Sequence, residues 1–266
     1  MVQKQKPWNL ELELEFRMKR LLKIIAVFVL LSCDNDSSFD CFQTSCPIIQ
    51  QEVSISSFEK ILVNRDIELI VKDGIDFKVI IETGENLLND IEAVVVDDEL
   101  RISDNNTCNY VREYGITKVF VTTTNLSSIR SSTQYDISSD GVLNFSDLSL
   151  FSEDYNSPGS FTVGDFRMQI NSDRLEIVSN NISSFYISGQ VEDLFVGFYS
   201  GAGKIHGEYL ESQKVRIYHR GSNDMHVNPQ ESLNGELHGT GDLISNNNPT
   251  DIGVEQFYTG KLIFQD

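Results

Sequence analysis

A short unit of three small residues, a charged one and then an apolar one recurs at intervals near twenty residues in the second half of the chain. Gly201-Ala202-Gly203-Lys204-Ile205-His206 returns as Gly221-Ser222-Asn223-Asp224-Met225-His226, and again as Gly239-Thr240-Gly241-Asp242-Leu243-Ile244. Looser versions stand upstream at Ile182-Ser183-Ser184-Phe185-Tyr186 and between Ile129 and Ile137. Each unit holds short apolar clusters, such as Val215-Arg216-Ile217 and Leu233 with Leu237, parted by Ser, Asn, Gly and Asp turns. Such a period, in a stretch with no sustained helical spacing of apolar residues, predicts an all-β solenoid whose rungs bury their apolar faces only against neighbouring rungs. The glycines suit corners, where positive φ or close backbone stacking is required. A β-sandwich is the alternative, since it also spaces turns every 8–12 residues or so. It does not predict one Gly-containing unit recurring three times.

The first half of the repeat region reads as strands of similar length. Ile67–Val71 and Phe77–Ile81 are β-branched and alternating, with Asp73-Gly74 as a turn between them. Ile91–Val96 turns through Asp97-Asp98 into Leu100-Arg101-Ile102, and Val119-Phe120-Val121 follows. The run Phe58-x-x-Ile61-x-Val63, Ile67-x-Leu69, Val79-x-Ile81-Glu82, Gly84-x-Asn86-Leu87-Leu88-x-x-Ile91, Leu100-x-Ile102, then Val119 and Asn125-Leu126-x-x-Ile129, leads into the Gly-x-Gly-Asp units. That succession resembles the head-GIN domain of auto-transporter-adhesin-like bacterial envelope proteins. The resemblance covers residues 53–266 and implies a right-handed parallel β-helix-like fold, often attached to a lipoprotein signal. It is carried by apolar positions and turns, not by catalytic residues. The chain departs from the pattern between Ser131 and Gly189, where Ser, Asp and Asn replace the Gly-x-Gly corners and the chain makes an excursion through Asp154–Gly159.

The N-terminus specifies an address. Met18-Lys19-Arg20 opens a basic stretch, Ile24–Leu31 is uninterruptedly apolar, and Leu30-Leu31-Ser32-Cys33 closes it. This is the order of a secretory signal peptide, and the closing cysteine resembles the lipobox of bacterial lipoproteins, in which the thiol is acylated. Cys33 is therefore the expected lipidation site, with an ordinary secreted protein as the rival reading. The apolar run is too short for a membrane span, which needs about 20 residues. Residues 1–17, acidic at Glu11, Glu13 and Glu15, read as an upstream over-extension, 18–32 as the signal peptide, 33–52 as a lipidated cysteine and acidic tether, and 53–266 as the all-β domain. The acidic stretch after Cys33 resembles the export signal that sends some bacterial lipoproteins to the outer face of the outer membrane, with a plain solvated spacer as the alternative. The expected address is the outer membrane, lipid-anchored, facing either the cell surface or the periplasm. In an oxidising compartment Cys41 and Cys46 are expected to close a small ring, with Cys108 left over or pairing instead.

Charge narrows the partners. The chain carries 21 basic and 40 acidic residues; without the first 32, which hold six and three of these, 15 and 37 remain. A surface of that sign repels nucleic acid, and no cluster of Lys and Arg offsets it. The expected partners are the membrane, through the anchor, and a cell-surface protein or glycan.

Motifs for chemistry are sparse, and no cofactor or metal is expected. Gly201-Ala202-Gly203-Lys204 lacks both the spacing and the Ser/Thr of a phosphate loop. No Gly-x-Ser-x-Gly elbow is present, nor the Gly-Gly-x-Gly-x-Asp nonapeptide of calcium-loaded repeats. His206 and His226 stand at equivalent places one rung apart, a stacked pair without a positioned third ligand. Asp224 and Asp242 are also repeat-equivalent. They read either as corner aspartates bonded to turn amides or as the acid pair of a polysaccharide-degrading enzyme. Tyr199 and His219 are equivalent one rung apart, with Tyr186 and Tyr218 near them. An aromatic stripe of Tyr186, Tyr199, Tyr218 and His219 is the expected binding face. The alternatives are lateral capping of the rungs or alternation into the core, and with them a purely structural envelope component. No catalytic residue is assigned.

Overall fold

A computed structural model describes residues 44–265, apart from 107, 108, 111 and 112, together with helical residues 15, 17–21 and 23. Ten strands of four to seven residues come first: β1 (Ile48–Val53), β2 (Lys60–Val63), β3 (Ile67–Asp73), β4 (Lys78–Gly84), β5 (Ile91–Val96), β6 (Glu99–Asp104), β7 (Thr117–Thr123), β8 (Ser128–Ser131), β9 (Ile137–Leu143) and β10 (Asp147–Ser152). Four long strands follow, β11 (Phe166–Ser179), β12 (Ser184–Phe198), β13 (Lys204–His219) and β14 (Met225–Leu237), and then β15 (Leu243–Ser245), β16 (Asp251–Gln256) and β17 (Leu262–Phe264). All belong to one sheet that curls nearly closed, like a barrel, around a single core.

Every pairing between strands from β8 onward is parallel. Each pass of the chain lies on the one before it, so like residues form rows across the strands. One inward row is Phe166, Phe185, Ile205, Met225, Leu243 and Leu262. Another is Leu148, Leu175, Leu194, Val215 and Leu233, which Ile252 continues at the exposed last pass. In β13 the buried positions run 205, 207, then 210, 212, then 215, 217, 219. Side chains alternate strictly along a strand, so each of the two slips in that alternation marks a change of direction, and one long strand supplies three inward-facing segments. At the core, Phe185 stacks on Phe166 at 4.8 Å and lies 5.9 Å from Phe198, all three being wholly buried.

Parallel pairing is not uniform. β1 pairs with β4, β4 with β7, and β5 with β6, all antiparallel. Asp97 and Asp98, both at positive φ (53° and 61°), make the two-residue turn joining β5 to β6, the backbone that short hairpins require. These strands close the N-terminal end of the stack. β1 also begins inside the segment read as tether: Ile48–Val53 docks along Val79–Gly84, so residues 48–52 belong to the folded sheet.

The departure from the repeat at 153–165 is pinned from beneath. Glu153, 3% exposed, accepts hydrogen bonds from Arg130 and from the backbone N–H of Asn156, so the excursion leaves β10 through a buried ion pair.

Candidate binding face

Tyr199, Tyr218, His238 and Phe257 form a ladder along the stack, with successive ring centroids 5.1, 5.1 and 4.5 Å apart. The local sequence makes room for it. The outward row on this face runs Phe151, Val178, Gly197, Tyr218 and Glu236. A Cβ on Gly197 would stand 2.9 Å from the Tyr199 ring and 3.1 Å from that of Phe195, so the missing side chain is the space into which Tyr199 folds. Tyr199 is 46% and Phe257 55% exposed. Beside Tyr199 a groove of about 610 Å³ is walled by Phe151, Val178, Tyr155 and Asn156.

Tyr186 lies apart, in another ladder. Its ring stacks on His206 at 4.6 Å, and His206 on His226 at 5.9 Å, while the Arg167 guanidinium covers its other side at 4.1 Å. Asp136 and Asp165 hold that guanidinium from the side. The Glu208 carboxylate stands 3.4 Å from Nδ1 of both histidines. The stacked histidine pair is thus present, and its shared charge is Glu208. Among the described residues no group of three or more His, Cys, Asp or Glu is placed to hold a metal ion.

His219 does not belong to the face. It is wholly buried, its ring 6.2 Å from Phe198. The repeat places it opposite Tyr199, yet the strand register places it opposite Phe198. The cause is a bulge: Tyr186 pairs with His206, whereas Ser188 pairs with Tyr209, so β13 carries one extra residue between them. A one-residue slip moves a side chain to the other face of a sheet, and the Gly-based spacing does not register it. His238 and Phe257 take the outward place instead.

Burial pushes the His219 imidazole pKa down, with the Asn223 backbone, Asp224 and Asp242 acting in the opposite direction. The folded protein therefore keeps this ring neutral where the unfolded chain, with an ordinary value of 6.5, takes up a proton. Stability from this group is present above pH 6.5 and is lost as pH falls below it toward the folded value. Thermal melts between pH 7.5 and about 5 are expected to show a fall in Tm that is shallower in His219→Leu. Equal slopes in the two proteins would contradict it.

Asp224 and Asp242 sit in turns. Asp224 Oδ1 accepts the Asp242 N–H at 2.9 Å, and Asp242 Oδ1 the Lys261 N–H at 2.7 Å. Asp165 does the same for Ser184, at 2.8 Å. This is a ladder of aspartates, each satisfying a backbone donor of the next pass. Cys46 is disulfide-bonded; Cys33, Cys41 and Cys108 lie outside the described residues, so the lipidation site and the Cys46 pairing are not placed.

Fold and exterior together define a class of protein: an all-β stack of parallel passes whose outward rows form long side-chain ladders. The chain belongs to the family described as "Putative auto-transporter adhesin, head GIN domain", which it matches over residues 57–249. Solved structures share the fold. An adhesin-like protein from Bacteroides fragilis has a TM-score of 0.75 at 18% identity, covering 84% of this chain and 100% of its own. One from Parabacteroides distasonis has 0.61 at 15%, covering 84% and 99%. A protein described as lipid-binding, also from Parabacteroides distasonis, has 0.58 at 14%, covering 82% and 97%. No curated protein matches the sequence.

Proposed function

We propose that this chain is an outer-membrane lipoprotein, anchored through acylated Cys33, whose parallel stack is a right-handed β-solenoid presenting its outward ladders to a glycan or a cell-surface protein. The observation that carries this reading is the Tyr199–Tyr218–His238–Phe257 ladder. Rings stacked along a rigid sheet turn a strip of edges outward, with tyrosine hydroxyls and a histidine among them, suited to the C–H and hydroxyl groups of a sugar or to a protein surface. What favours binding over polysaccharide cleavage is the placement of Asp224 and Asp242, whose carboxylates are committed to turn amides.

Protease treatment of intact cells tests the presentation. The domain is expected to be cleaved from outside, and Cys33→Ala to release it from the membrane fraction. Protection from protease would overturn surface display, and unchanged retention of the variant would overturn lipidation. Ligand capture is tested with Tyr199→Ala/Tyr218→Ala. Each aromatic contact is worth about 0.5–1.5 kcal/mol, so binding to cells or glycans is expected to weaken on the order of tenfold, with the melting curve nearly unchanged.

A further inference from the structure

The same sheet face carries a second groove, of about 540 Å³, beside the aromatic ladder, and it gathers cations on a strongly acidic chain. Arg174, Lys214 and Arg216 line it, with Phe195, Ser232 and Asn234. Carboxylates are present too, as Glu176 and Asp193. Arg174 pairs with Asp147 and Lys214 with Glu192, both pairs largely exposed. Arg216 differs: among the described residues it has no carboxylate within ion-pair distance, and its guanidinium lies over the Phe195 ring at 5.0 Å. The register explains this. Its row neighbours are Phe195 on one side and Asn234 on the other, both uncharged, and Glu176 is a further pass away. Stacking on an aromatic ring fixes the guanidinium plane and leaves its N–H fork free at the edge.

We propose that this groove is a subsite for the carboxylate of an acidic sugar, with Arg216 as its anchor; the proposal rests on the carbohydrate branch of the function above and names its ligand class. A carboxylate is the planar anion that the free fork matches with two parallel hydrogen bonds. Asn234 and Ser232, on the next pass, supply donors and acceptors for ring hydroxyls. Tyr218 follows Arg216 by two residues on the same side, about 7 Å along the strand; stacked between Tyr199 and His238, it offers the adjoining sugar its ring edge and hydroxyl. An acidic peptide would satisfy Arg216 but would leave the aromatic ladder without its partner. The overall charge of −19 opposes any polyanion, so short acidic oligosaccharides are favoured over long polymers, and binding that survives at physiological salt, where the screening length is about 8 Å, is local.

The test is calorimetric titration of the full chain in detergent with four probes: a hyaluronan tetrasaccharide, which alternates uronate and neutral sugars; chitotetraose, which is neutral; tetraglutamate; and a sulfated dextran oligosaccharide. The expected result is saturable binding of the hyaluronan probe, tighter than the other three, and weakened tenfold or more by Arg216→Gln, as loss of a charge-assisted contact requires. Arg216→Lys, which keeps the charge without the fork, is expected to fall between. Arg216 is exposed, so both variants should melt with the parent. No preference for the uronate, equal binding by tetraglutamate or the sulfated probe, or an unchanged Arg216→Gln would overturn the proposal. If chitotetraose binds as well as hyaluronan and is lost in Tyr218→Ala, the subsite fails while the carbohydrate face stands. If no saccharide binds, the carbohydrate reading fails with it.

Discussion

Replacing Phe185 with alanine is expected to lower the free energy of unfolding by about 4 kcal/mol, the middle of the range for truncating a buried aromatic. The ring is wholly buried, with Phe166 stacked on one side at 4.8 Å and Phe198 on the other at 5.9 Å. The cavity could be filled only if neighbouring passes moved inward. They are held at fixed spacing by parallel hydrogen bonding, β11 to β12 and β12 to β13, so little collapse is available. Phe185→Leu keeps most of the volume and is expected to cost less than half as much. The stack adds a second consequence. In a linear array each pass is stabilised by its neighbours, so a defect in the middle weakens coupling between the two ends. Denaturant unfolding of the alanine variant is expected to broaden, with a lower slope, because the β13–β17 end can open ahead of the β2–β9 end. A loss under 1 kcal/mol with an unchanged slope would contradict both parts. Tyr209→Ala, at an 82% exposed position on the adjoining strand, is the control and should leave the midpoint nearly unmoved.

The position of Phe185 in an inward row was legible in the sequence, because the units at Gly201, Gly221 and Gly239 place Ile205, Met225 and Leu243 four residues after their first glycine, and Phe185 stands one 20-residue period before Ile205. Rows such as Phe185, Ile205, Met225 and Leu243 follow from that offset alone. The turn role of Asp224 and Asp242 was legible in the same way, since an aspartate repeated at a corner has a backbone amide one pass away to satisfy. Strand direction was not. Alternation says which residues share a face but not whether the neighbour runs parallel, so the antiparallel β4–β7 pairing at the closed end has no signature in Lys78–Gly84 or Thr117–Thr123. Nor was the face of His219, because one inserted residue in β13 reverses inside and outside without disturbing the glycine spacing. Arg216 stands within the Val215–Ile217 cluster, and its outward neighbours Phe195 and Asn234 become adjacent only when the passes stack.

The ion pair beneath the 153–165 excursion is where removing a single side chain is expected to do comparable damage. Glu153 is 3% exposed and accepts from Arg130 and from the Asn156 N–H. Arg130 lies over the Phe151 ring at 4.8 Å, so its position is fixed by packing as well as by charge. Arg130→Ala leaves a buried carboxylate without its cation, a defect costing about 3–5 kcal/mol in such settings. The carboxyl itself reports the balance. Burial alone raises its pKa, but the Asn156 N–H and Arg130 outweigh that and hold it below the ordinary carboxylate value of 4.5. A carboxyl with a depressed folded value contributes stability that is present above pH 4.5 and is lost as pH falls through the folded value. In Arg130→Ala the contributions of Arg130 are lost and the folded value rises, so the variant's deficit is largest near neutral pH and narrows as acid neutralises Glu153. The double variant Arg130→Met/Glu153→Gln, which removes both charges and keeps volume, is expected to recover most of the loss, because a paired buried charge roughly cancels its own desolvation cost. Melting the parent and both variants between pH 7 and about 4 decides it. A deficit that does not vary with pH, or a double variant no better than the single one, would mean that Arg130 supports the excursion through its packing on Phe151 and not through the charge of Glu153.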